Sequence, residues 1–438
     1  VGWSGKVLDA SLLSGGMRRE SCTVTNAALC CPPEKVTYKE YCDTLTQVWK
    51  RKVAAALRRG EAPPAPPVFP HIACAPRLAR DVAESNGKVL LAVGKQALES
   101  LARDMNLPQG AAHVAPGEPY VASIAKQHGA PVIHRDGRVL MSSYHPAMAA
   151  PGRGRSEFLP LIQENLTRAA WVAAHDGFIP WKEPAYKLNP TAQEVLSFLR
   201  RLRNARIEVT ADIESNGIDP YTSLIRCVGL GADFGDNKRD EQVMTVPLRH
   251  MDNSAWWPYD VGQEIGYALQ GVFDHNPLVF QNGGFDTSML LNRGLMTDRK
   301  KTWKDTMMYH HDTPDNDLPH DLGFIARRYF CLTMWKSDID HKSTDNVNDA
   351  VLHRYNAQDV TVTKRLIGPL AQQVRHWGTE RQVETDTKLG PILREMGHLG
   401  LVVDEKKRGE FSGMLNWRAQ RELYQFREII GDSKFNPR

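Results

Sequence analysis

Three acidic signatures, in fixed order, constrain this chain more than any other feature. Asp212-Ile213-Glu214 closes an apolar strand candidate, and Asn282-Gly283-Gly284-Phe285-Asp286 follows a second one. Tyr355-Asn356-Ala357-Gln358-Asp359 then lies inside a helical stretch. Residues two apart on a strand point to one face, so Asp212 and Glu214 reach the same side. Residues four apart on a helix are neighbours, so Tyr355 and Asp359 do likewise. A fold that brings both pairs together with Asp286 gathers four carboxylates and a phenol. Hard divalent cations take oxygen ligands. Two of them, about 3.5–4 Å apart, activate water on one side of a phosphodiester and clamp the leaving oxygen on the other. The signatures therefore predict two Mg²⁺ (or Mn²⁺) ions held by Asp212, Glu214, Asp286 and Asp359, and hydrolytic chemistry on nucleic acid. Each piece alone is weak, because an Asp-x-Glu pair at a strand end is ordinarily a solvated turn. The order and the expected elements give the set its force.

Length and composition set the frame. The 438 residues are enough for two or three domains with their own cores. A hydrophobic content of 42% with 24% charged residues describes a globular chain. The net charge of +4 is too mild to name a nucleic-acid partner. Arg200-Arg201-Leu202-Arg203 and Lys50-Arg51-Lys52 are local basic runs that read equally well as solvated helix faces. No apolar run reaches the roughly 18–20 residues of a membrane span, and the N-terminus does not read as a secretory signal. Seven cysteines suit reduced thiols or metal ligands better than a disulfide scaffold, so a cytoplasmic location is expected.

Along the chain, the first part alternates strand-like and helical segments. Lys88–Val93 is a short apolar run closed by Gly94, as a buried parallel strand would be, and 94–101 reads as the helix after it. Arg138–Ser143 is a further strand candidate, and Val24-Thr25-Asn26 is read as a strand end. Five prolines in the nine residues from Ala62 to Pro70 exclude helix interior there. Phe178–Pro190 reads as a linker. Thr191 and Glu194 then suggest a capped amphipathic helix. Strands are expected over 206–213, 224–235, 242–247 and 277–281, with helices over 260–275 and 285–295. From about Glu384 the pattern is helical, interrupted between Gly397 and Asp404 and continuing to about Ile430. The expected fold class is α/β: an N-terminal α/β/α domain with a parallel sheet, a second domain with a mixed sheet, and a helical C-terminal segment. The expected boundaries are 1–177, a linker at 178–190, 191–382 and 383–438.

The ordered signatures resemble the three motifs of the DnaQ-like 3′–5′ exonucleases in their tyrosine-bearing branch. The proofreading domain of family A DNA polymerases is the nearest likeness, over about Thr191 to Arg375. Asp305-Thr306-Met307 and Leu318-Pro319-His320-Asp321-Leu322 resemble the helix-rich middle of that family. The resemblance implies a ribonuclease H-like fold. It implies that Asp212 bridges both metals while Glu214 and Asp359 complete the nucleophile-side site, and that Asp286 supports the second metal through waters. Tyr355 would orient the attacking water with Glu214, since a phenol near pKa 10 is a poor base at neutral pH. Asn282 and Phe285 read as support for the strand end. His310, His311 and His320 read as structural, because the acids already form a complete oxygen site. Residues 391–437, closing on Phe435-Asn436-Pro437, resemble the opening of a polymerase thumb, implying a polymerase domain in cis. A helical hairpin packed on the nuclease would explain the same residues.

The N-terminal part, from Val1 to about Ala173, resembles the uracil-DNA glycosylase superfamily, particularly its iron–sulfur type. The resemblance rests on Val1–Asp9, Val24-Thr25-Asn26, Cys30, Cys74-Ala75-Pro76 and Ser143-Tyr144-His145-Pro146. It implies that Asn26 reads the edge of an extruded uracil, since an amide both donates and accepts. His145 would steady charge developing on the departing base. Cys30 and Cys74 match two cluster cysteines, and thiolates suit a 4Fe-4S cluster. The pattern's water-activating motif and two more cysteines would precede Val1, so a cluster is expected only in a longer native chain. The expected partners are single-stranded or frayed DNA 3′ ends and uracil-containing DNA, with no membrane. The alternatives are an exoribonuclease using the same acids and a non-catalytic DNA-binding module of a replication protein.

Overall fold

In the computed structural model, the described residues are 3–27, 38–102, 105, 123–150, 157–235, 241–314, 316–333, 335, 344–345 and 347–435. Cys30 lies outside them. The N-terminal part runs α1 (Trp3–Ser14), α2 (Tyr38–Arg58), α3 (Pro70–Ala73), α4 (Ala75–Glu84), β1 (Val89–Val93), α5 (Lys95–Leu101), α6 (Ile124–Gln127), β2 (Val132–Ile133), β3 (Val139–Ser143) and α7 (Phe158–Ala174). The apolar run 88–93 forms the expected parallel strand, pairing in register with β3 from Val89↔Val139 to Val93↔Ser143. Short β2 joins the other edge of β3 antiparallel. Every residue of β3 is buried, the polar Ser142 and Ser143 included. The proline-rich stretch before α3 carries no helix until Pro70, at the first helical position.

The expectation of a strand ending at Asn26 is not met, for residues 23–26 form no regular element. Side chains fix this stretch instead of a ladder. The Thr25 hydroxyl bonds Asp81 at 2.7 Å and accepts from Arg77 at 2.9 Å, both partners lying on α4.

The second part runs β4 (Tyr186–Lys187), α8 (Ala192–Ala205), β5 (Val209–Ser215), β6 (Ile225–Asp233), β7 (Glu241–Pro247), α9 (Tyr259–His275), β8 (Leu278–Phe280), α10 (Gly283–Asn292), β9 (Lys304–Asp305), α11 (Thr306–His311), α12 (Leu322–Tyr329) and α13 (Asp349–Trp377). Thr191 and Glu194 form the predicted capping box, the Thr191 amide donating to Glu194 at 2.8 Å. The six strands lie in the order β4-β7-β6-β5-β8-β9. Strand β6 is antiparallel to both its neighbours β5 and β7, and β5, β8 and β9 are parallel. Taking β5 to β9 as strands one to five, the order is 3-2-1-4-5 with the second reversed. That is the ribonuclease H-like arrangement. Tyr186–Lys187, inside the stretch read as a linker, adds an edge strand parallel to β7.

Alternation along the strands sorts the layers. Val228, Leu230 and Ala232 face a core built with Val195, Leu199 and Leu202 of α8 and Leu269 and Phe273 of α9. The intervening Gly229 and Gly231 face α13, where a Cβ would meet Val360 at 2.6 Å from either position. Helix α13 therefore lies directly on the backbone of β6. Beyond it, α14 (Glu380–Leu399) and α15 (Glu405–Ile430) form the helical tail, turning at Gly400 with φ 64. No residue of α15 is buried. Among the described residues, no helix is long and apolar enough to cross a membrane.

The two sheet-bearing parts share a packed face centred on α12. Arg168 of α7 donates to the carbonyl oxygens of Arg327 and Arg328, the latter at 2.7 Å. Arg328 pairs with Glu164 through two bonds of 3.1 and 2.6 Å. Arg327 reaches the carbonyls of Ala125 and Lys126 at 3.1 and 3.2 Å. Cys331, just after α12, joins Val139, Met141, Ala169 and Val172 in one apolar cluster.

Candidate metal centre

Asp212 and Glu214 stand on β5 opposite Gly229 and Cys227 of β6, on the face that carries α13. Asp359 comes from α13. One carboxylate oxygen from each of the three lies within 4.8 Å of the others. Among the described residues, this is the group of acidic, His or Cys side chains placed to share a cation. Three ionised carboxylates at that spacing repel by roughly 3 kcal/mol per pair at an effective dielectric near 20. A divalent cation between them turns that repulsion into attraction. The donor set is all oxygen, as Mg²⁺ and Mn²⁺ require.

Asp286 adjoins this trio rather than completing it. Its carboxylate accepts the Ile213 amide at 3.1 Å, between Asp212 and Glu214. The β5–β8 ladder stops at Thr210↔Val279, so Asp286 supplies the acceptor that a longer β8 would have given. Burial pushes the Asp286 carboxyl well up, and the nearby charges of Asp305 and Asp359 push the same way. A cation at the centre would favour its ionised form.

Tyr355, one turn before Asp359, is buried and shares a hydrogen bond with it. Burial raises the phenol far above its usual range, and the charges of Asp359, Glu214 and Asp212 raise it further. Its hydroxyl therefore keeps its proton at neutral pH. It can donate and accept a hydrogen bond but cannot serve as the base.

The supports were mostly absent from the sequence reading. Asn356 sits in the third signature, unassigned there, yet its amide holds Asp212 at both the carbonyl (3.1 Å) and the carboxylate (2.8 Å). Its own oxygen accepts from Thr245 at 3.2 Å. Gly229 makes that bond possible, since a Cβ there would lie 2.4 Å from the Asn356 oxygen. Asp305 braces the second signature. Its carboxylate accepts the amides of Asn282 and Gly283 at 2.8 Å each, the Met307 amide at 3.0 Å and the Trp303 indole at 3.1 Å. Asn282 holds φ 58, a left-handed turn that Asn tolerates. Its contribution is thus through the backbone turn that starts α10. No local pattern marks Gly229 or Trp335, whose indole donates to Asp359. His310 is buried, with its Nδ1 2.7 Å from Nδ1 of His320, and His311 lies 3.5 Å from the Asp312 carboxylate.

In the N-terminal part, His145 follows β3 and caps a short 3₁₀ turn, its Nδ1 accepting from Ala147 at 3.1 Å. Gly94 follows β1 at φ 92, and a Cβ there would lie 3.1 Å from the His145 Cβ. Both sit at the carboxyl ends of parallel strands, where open α/β sheets take their ligands. Asn26 is exposed, with its carbonyl accepting from Arg77. Cys74 stands half-buried at the start of α4. Of the two expected cluster ligands, Cys74 alone is among the described residues. Among the described residues, the thiols do not gather into a cluster site.

Residues 187–375 match the 3′–5′ exonuclease family, and residues 1–169 match the uracil DNA glycosylase superfamily. Among solved structures, the chain is similar to NrnC of Brucella melitensis with bound Mg²⁺, at 21% identity and a TM-score of 0.34, over 44% of this chain and 86% of that one. It is similar to RNase D of Escherichia coli, an exoribonuclease involved in structured RNA processing, at 14% identity and a TM-score of 0.35, over 50% and 52%. The EXO domain of Nibbler from Aedes aegypti is a third, at 16% identity and a TM-score of 0.30, over 42% and 86%. No curated protein matches the chain.

Proposed function

Starting from a chain that carries a 3′–5′ exonuclease domain behind a uracil DNA glycosylase superfamily domain, we propose that it trims DNA from 3′ ends. In this reading it serves as the proofreading part of a family A polymerase in the cytoplasm. The domains run 1–177, 191–382 and 383–438, joined by 178–190. The observation that carries the reading is the meeting of Asp212, Glu214 and Asp359 within 4.8 Å, beside the Tyr355 hydroxyl. A glycosylase-superfamily domain in the same chain favours DNA as the substrate.

Asp212, Glu214 and Asp359 would hold the divalent metals, with Asp286 behind them. Bound there, the metals supply an activated water and neutralise the leaving oxygen. The chain's own groups do the positioning. Asn356 fixes the Asp212 carboxylate. Tyr355, a phenol protonated at neutral pH, would hold the attacking water by hydrogen bonds, and Glu214 would take the water's proton. Asp286 keeps the end of β5 in register through the Ile213 amide. In the N-terminal domain, His145 at the strand ends would steady an extruded uracil, with Asn26 reading its edge.

One experiment separates the parts. Asp212→Ala should lower Mg²⁺-dependent release of 3′-terminal deoxynucleotides by more than the roughly 10–100-fold that a supporting residue costs. Any uracil excision should persist in that variant. Wild-type trimming by Asp212→Ala would remove the assignment. Faster release of 3′ ribonucleotides than of deoxynucleotides would make the chain an RNA-trimming enzyme.

A further inference from the structure

The third metal-site carboxylate, Asp359, is buried on α13. We propose that Trp335 is a positioning residue for the centre: its indole fixes the Asp359 carboxylate toward Asp212 and Glu214, and the N-terminal domain, acting through α12, fixes the indole. The proposal rests on reading the three acids as a metal centre.

The indole N–H donates to Oδ1 of Asp359. An indole nitrogen only donates, so its partner must be an acceptor. A hydrogen bond to an ionised carboxylate is among the stronger kinds. A buried carboxylate lacking such donors is costly to keep charged. With Oδ1 held by the indole, rotation of the Asp359 carboxylate about its χ2 bond is restricted.

Packing holds the indole. Trp335 lies against the apolar cluster made by Ile325 of α12, Leu332, and Val362 and Leu366 of α13. Helix α12 is itself held from the other domain. Arg168 donates to the carbonyls at its C-terminal end, and Arg328 pairs with Glu164. Phe324 of α12 lies 5.5 Å, centroid to centroid, from the His128 ring of the N-terminal domain. A continuous path of contacts therefore runs from α7 through α12 to a metal-site carboxylate. Nothing in the acidic signatures announces it.

The test uses metal-stripped full-length protein, titrated with Mn²⁺ and followed by electron paramagnetic resonance. Trp335→Phe keeps a ring in the cluster and deletes the donor. It should bind Mn²⁺ about 10-fold or more weakly, the usual cost of losing a hydrogen bond to a metal ligand. DNA binding in EDTA should stay at the wild-type level. Wild-type Mn²⁺ affinity in Trp335→Phe overturns the proposal. Should Trp335→Phe not fold, Trp335→His, which retains a ring N–H, is compared with Trp335→Leu, and equal affinities in that pair overturn it too. Mn²⁺ binding that is unaltered by Asp212→Ala counts instead against the metal centre itself, and the proposal falls with it.

Discussion

At the scale of single residues, two positions that do no chemistry set the centre's geometry. Asn356 spends its whole amide on Asp212 and Thr245, and Gly229 leaves the room in which that amide sits. Adding one methyl at Gly229 would place a carbon 2.4 Å from the Asn356 oxygen and 2.6 Å from Val360. Neither neighbour is a loose side-chain end, so α13 must retreat. Gly229→Ala should therefore cost about 1–3 kcal/mol by overpacking and move Tyr355 and Asp359 together away from Asp212. Thermal melts would read the first effect, and loss of 3′-nucleotide release in excess of the stability change would read the second. A stable, fully active Gly229→Ala would refute this account. The carboxylates were legible in the sequence because metal chemistry restricts residue type and spacing. Gly229 was not, because a glycine in a strand looks the same whether it spares a helix or merely weakens a ladder.

Among elements, α12 is the one on which most depends. It closes the apolar cluster against α13 and meets the N-terminal domain on its other side. His128 lies at that junction, its ring 4.8 Å from Tyr144 and 5.5 Å from Phe324. Burial, then the positive charge of Arg327, holds the imidazole down to about 3, with Arg168 and Arg328 pressing the same way and the Asn165 hydrogen bond opposing. The folded state keeps it neutral, whereas the unfolded chain takes a proton near 6.5. Stability is thus fully present above that value and declines on acidification, by about 1.4 kcal/mol per pH unit, until the folded pKa is reached. His353, lowered to about 4 chiefly by burial, adds a loss of the same sign. Melts at pH 7.5 and 5.5 should show a smaller acid drop for His128→Gln than for the native chain, and equal drops would count against the assignment. Most elements of the second domain were readable from period and caps, as the Thr191–Glu194 box illustrates. The misread strand end at Asn26 and the overlooked β4 share one cause. Both are decided by partners distant in sequence, Arg77 and Asp81 for the first and β7 for the second.

The whole molecule joins two α/β domains through polar bonds aimed at main-chain carbonyls. Arg168 faces the C-terminal end of the α12 dipole, where a cation is favourable, and satisfies carbonyls that would otherwise lack donors. Removing it leaves those carbonyls buried and unmatched. Arg168→Ala should destabilise the chain by roughly 2–4 kcal/mol, from two charge-assisted bonds lost at a buried site. It should also turn one urea transition into two as the domains uncouple. A single transition at the native midpoint would show that the contact contributes nothing. No sequence pattern exposed this junction, because an arginine serving a carbonyl some 160 residues away leaves no local trace. The placement of Cys331 among Val139, Met141, Ala169 and Val172 carries a practical corollary. Severing the chain at its middle, the obvious scissors-cut for obtaining either domain alone, would strip a greasy seam bare on both products. Whoever wants the trimming half in isolation should first repaint that seam with polar side chains, or keep its companion attached.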